Sequence, residues 1–78
     1  MQVYVNKYDD KNGYDVTLHK HKKDADIEFS EYLKLEMATG GTDLSKKTAI
    51  EIIEWWIKEG GDRAQDCEVF SHQEVHNI

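Results

Sequence analysis

Apolar and polar residues alternate from the start of the chain. In QVYVNKY, Val3 and Val5 alternate with Gln2, Tyr4 and Asn6, the two-residue period of a strand with unlike faces. DDKNG follows and ends in Asn12-Gly13, a dipeptide suited to a tight hairpin turn. In YDVTLHKH, Tyr14, Val16 and Leu18 share one face. Asp15, Thr17, His19 and His21 share the other, read as the outer one. These segments predict a β-hairpin. KKDAD at 22–26 reads as a polar connection.

Two templates compete over the next stretch, DIEFSEYLKLEM at 26–37. Ile27, Phe29, Leu33, Leu35 and Met37 fall on alternate positions, with Glu31 interrupting. The residue types in EYLKLEMA favour helix, and Ser30 could cap it. The alternation is weighted more, which predicts a third strand from about 26 to 37, bent near Ser30 and Glu31. A strand followed by a short helix is the alternative. TGGTDL at 39–44 reads as a loop. A helix is expected to start at Ser45, with Leu44 and Ala49 as a hydrophobic staple, and to end at Gly60-Gly61. DCEVFSH predicts a last short strand, and the tail from about 73 is expected to fray. The fold class is therefore α+β. It comprises one small domain over 1–78, a small antiparallel sheet in the order β-β-β-α-β, and one main helix on one face.

Helical phase separates the two tryptophans of IEIIEWWIKEGG. In steps of about 100°, Ala49, Ile50, Ile52, Ile53, Trp56 and Ile57 fall in one arc, opposite Glu51, Glu54 and Lys58. Trp56 is predicted in the core. Trp55 falls off the arc, beside Thr48, Glu51 and Glu59. Either the C-terminal segment covers it, through Phe70 for example, or another molecule does. Trp is enriched at binding hot spots. Glu51, Glu54 and Glu59 would give Trp55 an acidic rim suited to a basic partner.

Charge strengthens that expectation. The net charge is −6, but residues 1–23 carry five Lys against three Asp, and residues 24–78 carry five Lys or Arg against thirteen acids. Such a surface repels phosphates and attracts basic proteins, so direct nucleic-acid binding is disfavoured. The plainer account is that negative charge keeps a small domain in solution. No apolar run approaches the roughly 18 residues of a membrane span. The N-terminus lacks the basic and apolar regions of a signal peptide. The lone Cys67 fits a reducing compartment. A protein of the cytoplasm, bacterial or of an infected host cell, is expected.

Candidate chemistry is sparse. His19 and His21 on one strand face could contribute to a zinc site completed by His72, His76, Cys67 or an acid, but their spacing matches no structural zinc pattern. His19, Lys20, His21, Lys22 and Lys23 form the one basic cluster. With Tyr4 and Tyr8 beside it, this cluster could contact single-stranded nucleic acid or a carboxylate patch. A solvated hairpin face is the simpler account. Asp66 and Glu68 flank Cys67 and would raise its pKa, against nucleophilic catalysis. The glycines lack phosphate-loop spacing. Neither an enzyme nor a cofactor is expected.

The predicted strand order resembles that of small antitoxins with a partial ribonuclease-H-like fold, without their glycine- and proline-containing stretch between the second and third strands. In size, acidity and lack of motifs the chain is similar to the small inhibitors that bacteriophages and mobile elements direct at host defence or nucleic-acid enzymes. Anti-CRISPR proteins and uracil-DNA glycosylase inhibitors belong to that class, some acting as nucleic-acid mimics. No residue carries over from either group. The leading expectation is a non-enzymatic inhibitor that binds a basic, nucleic-acid-binding protein through Trp55, Glu51, Glu54 and Glu59. An antitoxin-like homodimer with Trp55 on its two-fold axis is the alternative. A nucleic-acid or metal binder using residues 19–23 is the third.

Overall fold

The computed structural model describes residues 1–10, 13–60 and 71–78. Strands β1 (Gln2–Asp10) and β2 (Gly13–His19) form the expected antiparallel hairpin, paired from Tyr4 opposite His19 to Asp10 opposite Gly13. Gly13 has φ +127°, a backbone that residues with a Cβ rarely adopt. Residues 11 and 12 of the turn lie outside the described residues. β3 (His72–Asn77) pairs antiparallel with the other side of β1, so the order is β2-β1-β3.

That last strand lies in the segment expected to fray. Its backbone bonds to β1, an interaction its own polar side chains do not announce. The N-terminal ammonium donates to the Ile78 carbonyl at 3.0 Å, and Ile78 N–H donates to the Met1 carbonyl at 2.7 Å. The expected DCEVFSH strand falls mostly on residues 61–70, outside the described residues.

The predicted third strand is instead an α-helix, α1 (Lys22–Thr39). Phe29, Leu33 and Met37 recur every four residues, so they satisfy an alternating template and a helical one together. The structure buries them with Ala25, while Ile27 and Leu35 are exposed. Helix-forming residues and length decide for the helix. It ends in a Schellman motif: Thr42 N–H donates to the Met37 carbonyl and Gly41 N–H to that of Ala38, with Gly41 at φ +88°. Among the described residues the order is thus β-β-α-α-β, with a helix where the antitoxin comparison has its third strand.

The second helix, α2 (Ala49–Trp55), starts one turn later than expected. Thr48 caps it in a capping box: Thr48 Oγ1 accepts from Glu51 N–H at 3.3 Å, and Glu51 Oε1 from Thr48 N–H at 2.9 Å. Ser45 is held earlier, donating from both N–H and Oγ to Asp43 Oδ1. From Trp56 to Gly60 the backbone continues as a π-helical turn. Bonding from i to i+5 places more residues in each turn, so the 100° step fails there. A Cβ on Gly60 would overlap the Trp56 indole.

Of the predicted apolar arc, Ile52 and Ile53 are buried, whereas Ile50 and Ile57 are 66% and 77% exposed. Trp56 is half-buried at the core margin. The physical reason is that α2 packs on α1, and among the described helices only α1 contacts the sheet. A seven-residue helix against one neighbour buries a narrow stripe. The core is Tyr8, Phe29, Leu33, Met37, Leu44, Ile52 and Ile53, edged by Tyr32, Trp55 and Trp56. Each fully buried side chain of the Phe or Leu type is worth about 1.5–3 kcal/mol over an exposed one.

Antiparallel sheet, helices and order make this an α+β fold. No described helix is long and apolar enough to cross a membrane.

Candidate functional site

The alternation of β2 is oriented opposite to expectation. Its polar row faces α1, and Tyr14, Val16 and Leu18 lie exposed on the side that no described helix covers. Pairing with β1 puts Tyr4, Asn6 and Tyr8 on the same face as His19, Thr17 and Asp15. Polar groups brought under a helix must find partners. They find them at Glu28, in the second turn of α1.

Glu28 Oε2 accepts four hydrogen bonds: from Thr17 Oγ1 at 2.5 Å, Asn6 Nδ2 at 2.8 Å, His19 Nε2 at 2.9 Å and Tyr8 OH at 3.0 Å. Burial alone pushes the Glu28 carboxyl up. The bonds from Thr17, Asn6, His19 and Tyr8 outweigh it and hold the pKa at about 2. Glu28 is therefore an anion, and His19 Nε2 carries the proton it donates. Burial and then the neighbouring Glu28 raise the Tyr8 pKa, so its phenol stays a donor. Asn6 is wholly buried and fully engaged. Besides Glu28, its Nδ2 reaches the Ala25 carbonyl at 2.9 Å, and its Oδ1 accepts from Gln73 Nε2 at 2.8 Å. It ties β1 to α1 and β3 together.

The Glu28 side chain keeps 37% of its surface exposed. It opens onto a groove of about 490 Å³ between the β2 edge and α1, lined also by Tyr8, Gly13, Tyr14, Asp15, Thr17 and Tyr32. Tyr8 and Tyr32 have ring centroids 4.4 Å apart. The phenol rings of Tyr8 and Tyr32 and two carboxyl side chains around an open space suit a cation, by ring quadrupole and by charge.

The residues expected to form a binding surface are spread out. Trp55 is half-buried against the core cluster, its ring 6.3 Å from that of Trp56. Phe70, a candidate cover, lies outside the described residues. The Trp56 Nε1–H donates to the Ser71 carbonyl at 3.1 Å. Glu51, Glu54 and Glu59 are exposed, and Glu51 is engaged in the helix cap. The basic cluster is divided as well. His19 bonds Glu28, His21 is the N-cap position of α1, and Lys22 pairs with Asp26 at 2.6 Å. Lys20 and Lys23 are exposed.

A second carboxylate cluster occupies the opposite sheet face. Glu74 accepts from Lys7 Nζ at 2.9 Å, His72 Nε2 at 3.0 Å and His76 Nε2 at 2.7 Å. Lys7, then His76 and His72, hold its pKa at about 2. His19 is on one face of the sheet and His72 and His76 are on the other, so they do not meet. Among the described residues no group of three His, Cys, Asp or Glu is arranged to hold a metal. Cys67 lies outside the described residues.

Sequence reasoning missed Glu28 and Asn6, and it placed Tyr8 and Thr17 on the face of His19 without a carboxylate to join them. The available signal was Asn6 between Val5 and Lys7 in a strand, a residue that must be satisfied if buried.

Fold and site together define a small α+β domain with a tyrosine-walled, acidic groove beside an edge strand. No protein-family model matches the chain, no curated protein is significantly similar to it, and no solved structure matches it significantly.

Proposed function

We propose that the chain is a non-enzymatic protein-binding module that engages and blocks a basic, nucleic-acid-binding protein. It would act as the small acidic inhibitors of phages and mobile elements do. One observation carries the reading: a carboxylate already ionised by four donors lines an open groove walled by tyrosines. Preorganisation of that kind lowers the ordering cost of binding. The net charge of −6 adds long-range attraction to a basic surface. Glu51, Glu54 and Glu59 are a second, exposed acidic set.

The test is capture of partners from cells of the native source, with the captured protein then purified and its affinity measured. Glu28→Gln is expected to lose the partner, and Glu51→Lys/Glu54→Lys to weaken it less. If the partner is not basic, or Glu28→Gln binds it as tightly as the parent, this reading is wrong.

A further inference from the structure

We infer that the groove takes an extended segment of the partner, added as a strand to the edge of β2 that no described strand pairs with, with basic residues towards Glu28 and apolar residues on the opposite face. This inference rests on the proposed binding of a basic protein and adds how that protein is held.

The sheet has two outer strands of unlike character. On the face away from α1, β3 presents His72, Glu74 and His76, polar and cross-bonded. Rows of this kind blunt an edge against pairing. On that face β2 presents Tyr14, Val16 and Leu18, all exposed. No described helix covers them, and no charge interrupts the row.

Among the described residues, no strand pairs with the side of β2 that faces away from β1. Val16 N–H donates to the side chain of its own neighbour, Asp15 Oδ1, at 2.9 Å. It therefore points away from β1, and an incoming carbonyl could take it over. Alternation along β2 assigns the outward peptide groups to residues 14, 16 and 18.

An added strand would alternate in step. Residues on its helix side would enter the groove beside Asp15, Thr17, Glu28 and Tyr32. Residues on its other side would extend the row of Tyr14, Val16 and Leu18. Charge selects the helix-side residues, since Glu28 is an anion and the phenols favour a cation. Apolar contact selects the others. Backbone pairing then supplies affinity, and alternate side chains supply specificity. A second copy of the chain fits less well. In a two-fold pairing centred on Val16 it offers Asp15 and Thr17 to the groove, neither of them a cation.

The probe is the peptide Ac-Lys-Val-Arg-Val-Arg-Val-Lys-NH2, titrated into the full chain and followed by amide chemical shifts. Three controls accompany it: Glu in place of Arg, N-methylation of alternate amides, and light scattering without peptide. Saturable shifts confined to residues 13–18 and neighbouring α1 are expected. Glu28→Gln should weaken binding about tenfold. Val16→Pro removes an outward N–H without touching the β1 ladder, so it should fold and also lose binding. It keeps the test decisive if Glu28→Gln fails to fold.

Shifts at β3 instead, or no saturable shifts, overturn the inference. A concentration-dependent dimer whose β2 edge is occupied by a second copy overturns it as well. If N-methylated peptide or Val16→Pro binds as tightly as the parent pair, strand addition is overturned while basic-partner binding stands. Loss of basic-partner selectivity in the capture experiment removes that broader reading instead.

Discussion

On the face of the sheet under α1, Glu28 reaches from the helix to donors on two strands; on the other face, where Val3 and Val5 are buried, Glu74 lies among Lys7, His72 and His76. Both carboxyls are held at about 2. Their structural consequences differ. The donors to Glu28 are fixed beneath a helix, and Asn6 among them has no access to water. Of the donors to Glu74, His72 and His76 are about half exposed and can exchange it for water, while Lys7 is partly enclosed. A similar set of hydrogen bonds thus binds a helix to a sheet on one face and decorates an edge on the other. What separates them is how much water replaces the bond when it is lost.

The largest effect should come from the apolar layer under the covered face. Phe29→Ala is expected to cost about 3–5 kcal/mol in denaturant unfolding, because the ring is fully enclosed and its cavity cannot collapse freely. Next is Glu28→Ala, which leaves Asn6, Tyr8, Thr17 and His19 short of an acceptor. A loss of about 2 kcal/mol is expected. A loss too small to measure would mean the two faces do not differ as argued.

Acid unfolding sharpens the same contrast. The Glu28 pKa lies below the ordinary 4.5, so the folded state binds fewer protons than the unfolded state. Its contribution is present above about pH 4.5 and is lost as the pH falls towards 2. Glu74 has the same sign, but its exposed pairs are screened by salt. In about 0.5 M salt, Glu28→Gln should still flatten the acid limb of the stability profile, and Glu74→Gln should not.

The smallest effects belong to the exposed positions of the other face. Leu18→Ser is expected to shift stability by no more than about 0.5 kcal/mol, as substitutions at exposed positions usually do. Glu74→Gln at neutral pH should leave the unfolding midpoint unchanged. A large loss from Leu18→Ser would show that the β2 row is covered in solution.

The hairpin was legible because its determinants are local: alternation, Asn12-Gly13 and a glycine at positive φ. The helix α1 was not. Phe29, Leu33 and Met37 fit two periods together, and the exposed Ile27 and Leu35 imitated a strand by filling the alternate positions. The capping box was written at Thr48 and Glu51, yet Ser45 competed for the same role. Glu28 was hidden by that misreading, since a strand at 26–37 gives it no helix face from which to reach the hairpin.

By itself the sequence determined an acidic α+β chain, a hairpin near its start, a helix through Ile52 and Ile53, and no recognisable catalytic motif. The tertiary structure decided the rest. It chose which face of β2 is covered, because α1 lies on the polar row and satisfies it through one ionised carboxylate. It turned an apparently frayed tail into β3, because a central β1 supplies the backbone partners that no local signal encodes. It also drew Trp55 against the core and left Ile50 and Ile57 outside, because α2 leans on α1 and not on the sheet. Local periodicity specifies an element's two sides. Which side is buried depends on the neighbour that arrives, and contacts distant in sequence settle that.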